Sequence, residues 1–384
     1  MIYNMLKINV SLVGMGFGSC FAPIYLKHPD VSGFTISDTS PDRLRKVQEQ
    51  FGVRDSRADL EDILADPEID AVHLVTGIPD HARQVVAVLR AGKHCACTVP
   101  MATSLEDIRT IIAAVRETGK NYMMMETQIY GREYLHACEL RDKGAFGSLQ
   151  FLRGAHHQDM ENWPWYWAGL PPMWYATPAV APLLAFAGTR ATSVQCLGSG
   201  ALRPELRELY GNPYPVETAI FQLEREIPLA MEITRSLFQT SRAYLESFNI
   251  YGEDASLEWP YHGEPLVLTR QTRLGEVAGP RRATTGRIGL PDYTDRLPTE
   301  IAEFTGGARD DGRGAHPSVR HGGAHGGSHP HLVHEFVRSI VENRKPAIDE
   351  IRAADWTAPG ICAHQSALLD GVRVEIPRFG ADPV

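Results

Sequence analysis

No run in the 384 residues is apolar for long enough to cross a bilayer, and the amino terminus lacks the basic, long-hydrophobic, small-residue pattern of an export signal. Positive charge is not in excess: 38 Lys and Arg stand against 47 Asp and Glu, a formal charge of -9 with a pI near 5.9. That balance argues against nucleic acid or an anionic membrane as a partner. C-x-x-C is missing too. The six cysteines (Cys20, Cys95, Cys97, Cys138, Cys196, Cys362) are scattered in mostly apolar settings and read as buried free thiols of a reducing compartment, with the cytoplasm as the expected location. What remains is an ordinary globular composition, 43% apolar and 22% charged, on a chain long enough for two domains with cores of their own.

The most informative stretch is Gly14-Met15-Gly16-Phe17-Gly18, which follows an apolar run from Ile8 to Val13 and opens a segment that can be helical. A strand that ends in closely spaced glycines and enters a helix offers backbone N–H groups and a positive helix end to a pyrophosphate. The first glycine allows the tight turn, the second lets the diphosphate approach, and the third, at Gly18, falls one residue earlier than the usual pattern. A second apolar strand, Gly33 to Ser37, ends in Asp38, about 20 residues past the glycines, where a ribose-binding carboxylate belongs. A carboxylate there accepts from both ribose hydroxyls and repels a 2′-phosphate, so NAD(H) is expected over NADP(H). Asp38 is equally suited to a turn or N-cap before Pro41.

Strand and helix patterns alternate at parallel-sheet spacing from residue 6 to 128. Helices are expected over Pro41 to Phe51, Leu60 to Ala65, Pro79 to Ala91 and from Ser104 to Gly119, and strands over Ala71 to Thr76, His94 to Thr98 and Tyr122 to Glu126. This is a doubly wound α/β domain, a Rossmann fold, over 1–128. Its ligand crevice lies at the carboxyl ends of the strands, so Thr76, Gly77, Thr98 and Gln128 are expected beside the cofactor. Residues 129–384 form an α+β domain. Tyr130 to Lys143 reads as a helix, and Leu149 to His156, Ser193 to Leu197, Thr218 to Leu223, Leu229 to Arg235 and Ser247 to Tyr251 as strands of a large, mostly antiparallel sheet. Its exposed face needs a partner, so a homodimer or homotetramer built on that sheet is expected. Residues 270–330 are polar and glycine-rich and read as loop, followed by helices over Leu332 to Val341 and around Ala354 to Leu369.

Several motifs together resemble the Gfo/Idh/MocA family, named for glucose–fructose oxidoreductase and inositol dehydrogenase. They are the glycine turn, Thr76 to His81 in the place of T-P-N-x-x-H, Ala91-Gly92-Lys93-His94, Cys97-Thr98-Val99-Pro100 in the place of C/V-E-K-P, Glu126-x-x-x-Tyr130, and the block from Trp174 to Pro182. The resemblance implies NAD as cofactor, with His81 among the residues that line its site, and hydride transfer at a secondary CH–OH of a sugar, glycoside or cyclitol. Two departures stand out. The Lys of E-K-P, which bonds the reacting hydroxyl in family dehydrogenases, is Val99 here. The D-x-x-x-H position reads Trp174-Tyr175-Ala176-Thr177-Pro178, without either polar member. The NAD-dependent α-N-acetylgalactosaminidases of the same superfamily are similar in other places: E-V-P, a Tyr at Tyr130, Y-P-T-H against Tyr175 to Pro178, and G-H-G-G-M-D against Ala324 to His329. That likeness implies a redox-neutral hydrolysis by transient C3 oxidation, elimination and re-reduction. A cofactor- or sugar-binding protein without catalysis is the third reading.

Removing a hydride from a carbinol requires a base for the hydroxyl proton. Tyr130, at the mouth of the crevice, and Tyr175 are the candidate proton carriers, each otherwise a packed aromatic. His325 joins them because the resemblance sets its glycine-rich turn against the substrate. His156 and His157 end a strand, so one faces inward and one outward; His157 is the candidate substrate contact, and Asp159 or Glu161 a carboxylate partner. Trp163, Trp165, Trp167 and Trp174 put four of six tryptophans into twelve residues. Their faces suit the C–H faces of a pyranose and their N–H groups its hydroxyls, so Trp163, Trp165 and Trp174 are candidate substrate contacts; a hydrophobic plug or subunit interface explains them equally well. Arg153 alone is placed to meet an acidic group on a ligand. His316, His321, His325, His329, His331 and His334 suit either a zinc site or a loop feeding a helix, and no metal is expected.

Overall fold

The computed structural model describes residues 7–242, 244–272, 279–306 and 324–380. Its contacts divide the chain into two compact units, Met1–Arg132 with Asp292–Ala354, and Glu133–Pro291 with Asp355–Val384. Segment 292–354, expected in the second domain, thus belongs to the first unit.

The first unit holds β1 (Ile8–Val13), α1 (Ala22–Lys27), β2 (Val31–Ser37), α2 (Pro41–Phe51), β3 (Asp55–Arg57), α3 (Leu60–Ala65), β4 (Ala71–Leu74), α4 (His81–Arg90), β5 (His94–Cys97), α5 (Leu105–Thr118) and β6 (Tyr122–Met124). The strands pair in parallel in the order β3-β2-β1-β4-β5-β6, a doubly wound sheet. β4 and β6 are buried at every residue, which is why they read as unbroken apolar runs. Local signals set the helix ends. Ser40 and Ser104 cap α2 and α5 by accepting from the N–H of Arg43 and Asp107, and Gly52 and Gly119 close them in the left-handed region at φ 72° and 64°. The segment after the glycine turn differs from a continuous helix: a 3-10 turn (Phe17–Cys20) comes first, and α1 starts afresh with Pro23 in its first turn.

The second unit begins as α6 (Arg132–Asp142) ends its first residue, and continues through β7 (Leu149–Gln158), α7 (Thr177–Ala187), β8 (Ala191–Ser199), β9 (Val216–Leu223), β10 (Ala230–Ser236), β11 (Tyr244–Gly252), β12 (Ala255–Trp259), β13 (Leu266–Gln271) and β14 (Ala283–Ile288). The first unit resumes with α8 (Thr299–Ala302) and α9 (Ala324–Val341); α10 (Glu350–Leu368) and β15 (Val374–Glu375) close the chain. The second sheet has nine strands in the order β14-β13-β12-β11-β7-β10-β9-β8-β15, antiparallel except where β7 and β10 run parallel. α7 lies on its inner face, close enough that a Cβ at Gly154 of β7 would come within 2.9 Å of the Ala179 carbonyl oxygen. Residues 270–330 are not all loop: β14 and α8 lie there, and α9 begins at Ala324. β14 escapes periodicity because it is exposed almost throughout, and its backbone bonds to β13 stand in for a buried face. The expected helix start at Tyr130 is instead a separate 3-10 turn, Thr127–Tyr130, ahead of α6.

Candidate active site

In the first unit, backbone geometry builds the cradle. Gly14 has φ +95°, and a Cβ there would lie 2.2 Å from the Val75 carbonyl oxygen; the first glycine is obligatory. Gly16 faces open space, with nothing within 4 Å of where a Cβ would stand, so a ligand can approach its backbone. Gly18 lies 3.2 Å, in the same sense, from Val75 Cβ, and so performs the close packing of the third glycine despite its shift. Asp38 is buried and ties the turn to the end of β2: its Oδ2 accepts from the Met15 N–H at 2.7 Å and its Oδ1 from the Ser40 N–H at 2.7 Å. Arg43 lies 3.3 Å away. Asp38 is therefore the turn residue of one reading and stands at the ribose position of the other. Open backbone at Gly16 with a buried carboxylate at the end of β2 fits a dinucleotide.

The other strand ends supply the loops. Thr76 bonds Gln84 through its hydroxyl, Gly77 precedes the turn before α4, and the Thr98 N–H reaches the Leu74 carbonyl. His81 is fully buried with Nδ1 2.8 Å from the Pro100 carbonyl and Nε2 3.3 Å from that of Thr76. Burial pushes its pKa down against those carbonyls. Its ring holds the two loops together, so its effect on a ligand passes through them. Glu126, buried, caps the next turn through the Gln128 N–H at 3.0 Å.

Tyr130 ends that turn with its ring stacked on His331 of α9, centroids 6.1 Å apart and 7° from parallel. Burial, helped by Glu335, raises the phenol well above its ordinary pKa, while Arg344 and Arg352 pull the other way. At rest Tyr130 is a neutral phenol. His325 stands in a left-handed turn at φ 51°, followed by Gly326 and Gly327 at 61° and 82°. Its Nδ1 is 3.1 Å from Nε2 of the buried His329, and its ring meets Phe17 of the glycine turn edge-on at 5.9 Å. His329 stacks on Phe21 at 4.5 Å; Phe21 meets His73 at 4.7 Å, and the Tyr25 hydroxyl lies 3.1 Å from His73 Nδ1. Sequence reading missed His73, which sits in an apolar strand and reads as core. His316 and His321 lie outside the described residues, and among those residues no three His, Cys, Asp or Glu side chains converge on a metal-sized site.

In the second unit, alternation along β7 sends His156 inward, 1% exposed, and His157 to the other face. The partner of His156 is neither Asp159, which accepts from the Glu161 N–H, nor Glu161, which pairs with Arg203 at 2.8 Å. It is the buried Glu246 of β11, 3.6 Å away. His157 Nδ1 is 2.7 Å from the Ser236 hydroxyl, and burial, with Arg235 and Arg242, lowers its pKa. Arg153 pairs with Glu232 on the outer face of the sheet, so it is engaged away from the aromatic cluster. Trp163 and Trp165 are exposed (43% and 68%), and Trp167 is buried with its ring edge-on to Tyr175 at 4.9 Å. Trp174 packs against Tyr210 and His364, its buried indole nitrogen without a hydrogen-bond partner among the described residues. Pro178 is buried in the first turn of α7.

Residues 8–126 match the model of the oxidoreductase family with an NAD-binding Rossmann fold. A glycosyl hydrolase family 109 protein of Porphyromonas gingivalis is 29% identical over 171 residues, 42% of this chain and only 36% of that protein's length. Another of that description, from Streptomyces filamentosus, is 24% identical over 97% of this chain and 77% of its own. Among solved structures, a levoglucosan dehydrogenase in complex with NADH superimposes with a TM-score of 0.76 over 97% of this chain and 100% of that one, at 19% identity, a likeness of fold. Residues 8–126 thus share the NAD-binding Rossmann fold of that oxidoreductase family.

Proposed function

We propose that the protein is an NAD(H)-dependent oxidoreductase acting on a secondary CH–OH of a sugar, glycoside or cyclitol. The observation that carries this reading is the glycine turn locked to the buried Asp38 at the head of a doubly wound sheet. Gly14, Met15, Gly16, Phe17 and Gly18 would hold the diphosphate, Asp38 the ribose, and the loops of Thr76, Gly77, Thr98 and Gln128 the rest of the dinucleotide, with His81 fixing two of those loops. NAD, when bound, accepts or supplies hydride. The chain itself must handle the hydroxyl proton, and with Val99 and Pro178 at the customary Lys and His positions that task falls to Tyr130 and Tyr175. Trp163, Trp165 and Trp174 offer aromatic faces and polar edges to a sugar ring, whereas His157 lies on the face of β7 opposite the His156 that contacts Tyr175. His325 lies against Phe17 of the glycine turn, which supports a contact to the nicotinamide side of the reaction as well as proton handling.

The test is to extract the purified protein, identify its dinucleotide, and follow NADH absorbance against free sugars, cyclitols and aryl glycosides. Stoichiometric NADH supports the dehydrogenase. One observation favours a second reading, redox-neutral glycoside hydrolysis or elimination: the family 109 likeness that spans 97% of the chain. Aglycone release that requires NAD but accumulates no NADH would establish it. Ligand binding without turnover would leave a silent binding protein, and failure to take up any dinucleotide would sink all the catalytic readings.

We further propose a cytoplasmic homodimer or homotetramer. Free thiols at all six cysteines support the compartment. The subunit contact would be the outer face of the nine-stranded sheet, where Leu197 of β8 and Ile220 of β9 are 63% and 47% exposed. No helix among the described residues is long and apolar enough to cross a membrane.

A further inference from the structure

Beneath Tyr175 lies a buried cation that the reaction scheme above leaves unused. Arg235, at the end of β10, has no solvent exposure and is the largest fully buried side chain among the described residues. Burying a guanidinium is costly unless its donors are satisfied. Here Nε donates to the Tyr175 carbonyl at 2.8 Å, Nη1 to the carbonyls of His156 and Ser236 at 2.8 and 2.7 Å, and Nη2 to Gln158 Oε1 at 2.6 Å. The guanidinium carbon also lies 5.3 Å from the centre of the Tyr175 ring. From the neighbouring strand, opposite Arg235 in register, the buried Glu217 accepts from the Met173 N–H of the same short turn (Pro172–Tyr175) at 2.9 Å and pairs with His364 at 2.6 Å. Two ionisable groups out of water thus clamp one four-residue turn, and its half-buried Tyr175 ring is what the clamp holds in place.

We propose that Arg235 is the positioning residue that makes Tyr175 a proton carrier, holding its backbone carbonyl and keeping a positive charge over its ring. The proposal rests on the reading of Tyr175 as a proton carrier. A cation within about 6 Å of a phenol favours the phenolate and lowers its pKa by roughly one to three units. Other groups also stand near the ring, and the buried carboxylate of Glu217 pairs in register with Arg235 itself. His156 of β7 lies tilted at 6.3 Å; Tyr244 and Glu246 of β11 act in the opposite sense to Arg235, with Glu246 3.6 Å from His156; Trp167 contributes no charge. Arg235 is a strong cation in contact with the ring. Burial draws its pKa down, to about 10, but bonds to three carbonyls and an amide oxygen all favour the charged form. A tyrosine so placed can take a carbinol proton without the Lys and His that Val99 and Pro178 replace.

The experiment is an alkaline titration of phenolate absorbance in the full-length protein, subtracting the Tyr175→Phe variant from the parent. One phenol should titrate about one unit or more below the ordinary value of about 10 in the parent and be missing from Tyr175→Phe. Arg235→Lys, which keeps the charge, should retain most of the shift. Arg235→Met should raise that phenol by about a unit or more, and the acidic limb of kcat/KM should move with it while KM for NAD stays put. A difference titration at or above 10 in the parent overturns the proposal, and needs no Arg235 variant to fold. A low-titrating Tyr175 in a protein that turns over no sugar upholds the Arg235 assignment and removes the activity; turnover with an ordinary Tyr175 does the reverse.

Discussion

At the scale of the residue, one side chain does two jobs at Asp38. It holds the Met15 and Ser40 N–H groups, and under the proposed function its remaining lone pairs would take the ribose hydroxyls. Asp38→Ala should therefore weaken NAD binding at least tenfold and narrow its advantage over NADP, since the neighbouring Arg43 would lose its counter-charge; isothermal titration with both dinucleotides measures this. Tyr130 sits differently from Tyr175. Its phenol is raised by burial, so under the proposed function it would donate its proton to a bound oxygen rather than act as a resting base. Tyr130→Phe should lower kcat by about a hundredfold or more with NAD affinity nearly intact; an active variant would remove Tyr130 from the chemistry. Asp38 and Tyr130 were legible because each stands at a fixed offset from a strand end. Arg235 was not: an Arg closing a strand reads as a surface charge, and only the fold reveals carbonyls converging on it from β7, β10 and the turn of Tyr175.

At the scale of the element, the readings that held were those written into local chemistry. Helices α2, α3 and α5 span the expected residues or come within a residue of them, with α2 and α5 stopping at Gly52 and Gly119. The Ser104 hydroxyl also bonds Asp107 Oδ2 at 2.8 Å, so Ser104→Ala should lower stability by about 1 kcal/mol, measured by chemical denaturation. The turn that opens α9 depends on contacts instead. Gly327 is left-handed at φ 82°, and a Cβ there would come within 2.5 Å of the Thr305 carbonyl oxygen, which Arg132 also holds from Nη2 at 3.2 Å. Gly327→Ala should cost more than about 2 kcal/mol and displace His325 from Phe17, lowering the melting temperature and NAD affinity together. In sequence this region reads as loop because glycine and histidine carry no apolar period. The same blindness hid β14, whose exposed polar residues at the sheet edge leave only backbone pairing to define the strand.

At the scale of the whole molecule, acid sensitivity follows from histidines kept neutral by burial. His28, His94 and His331 are pushed down to about 4 and His73 to about 3, against 6.5 in the unfolded chain. Between those values the unfolded chain binds more protons than the folded one, so stability rises with pH across that range and is lost as pH falls from 6.5 toward 4. All four belong to the first unit. Melting temperatures measured from pH 7 to 4 should drop, with the cofactor-binding unit opening first, detected by loss of NAD binding ahead of the last loss of secondary structure. The proposed assembly is tested at this scale too: Leu197→Glu with Ile220→Lys should halve the mass seen by light scattering if the outer sheet face joins subunits.

The sequence by itself determined the doubly wound sheet, its glycine turn and the place of Asp38 at the end of the second strand, because these rest on interactions between residues close in the chain: a strand's buried faces, a cap three residues away, a turn only glycine can make. The tertiary structure decided which unit residues 292–354 join, how His325 is held by His329, and that Glu246 rather than Asp159 or Glu161 pairs with His156. It also decided that Arg235 lies beneath Tyr175. Each of these depends on groups far apart in sequence whose meeting is set by sheet order and register, and neither periodicity nor local spacing carries that information.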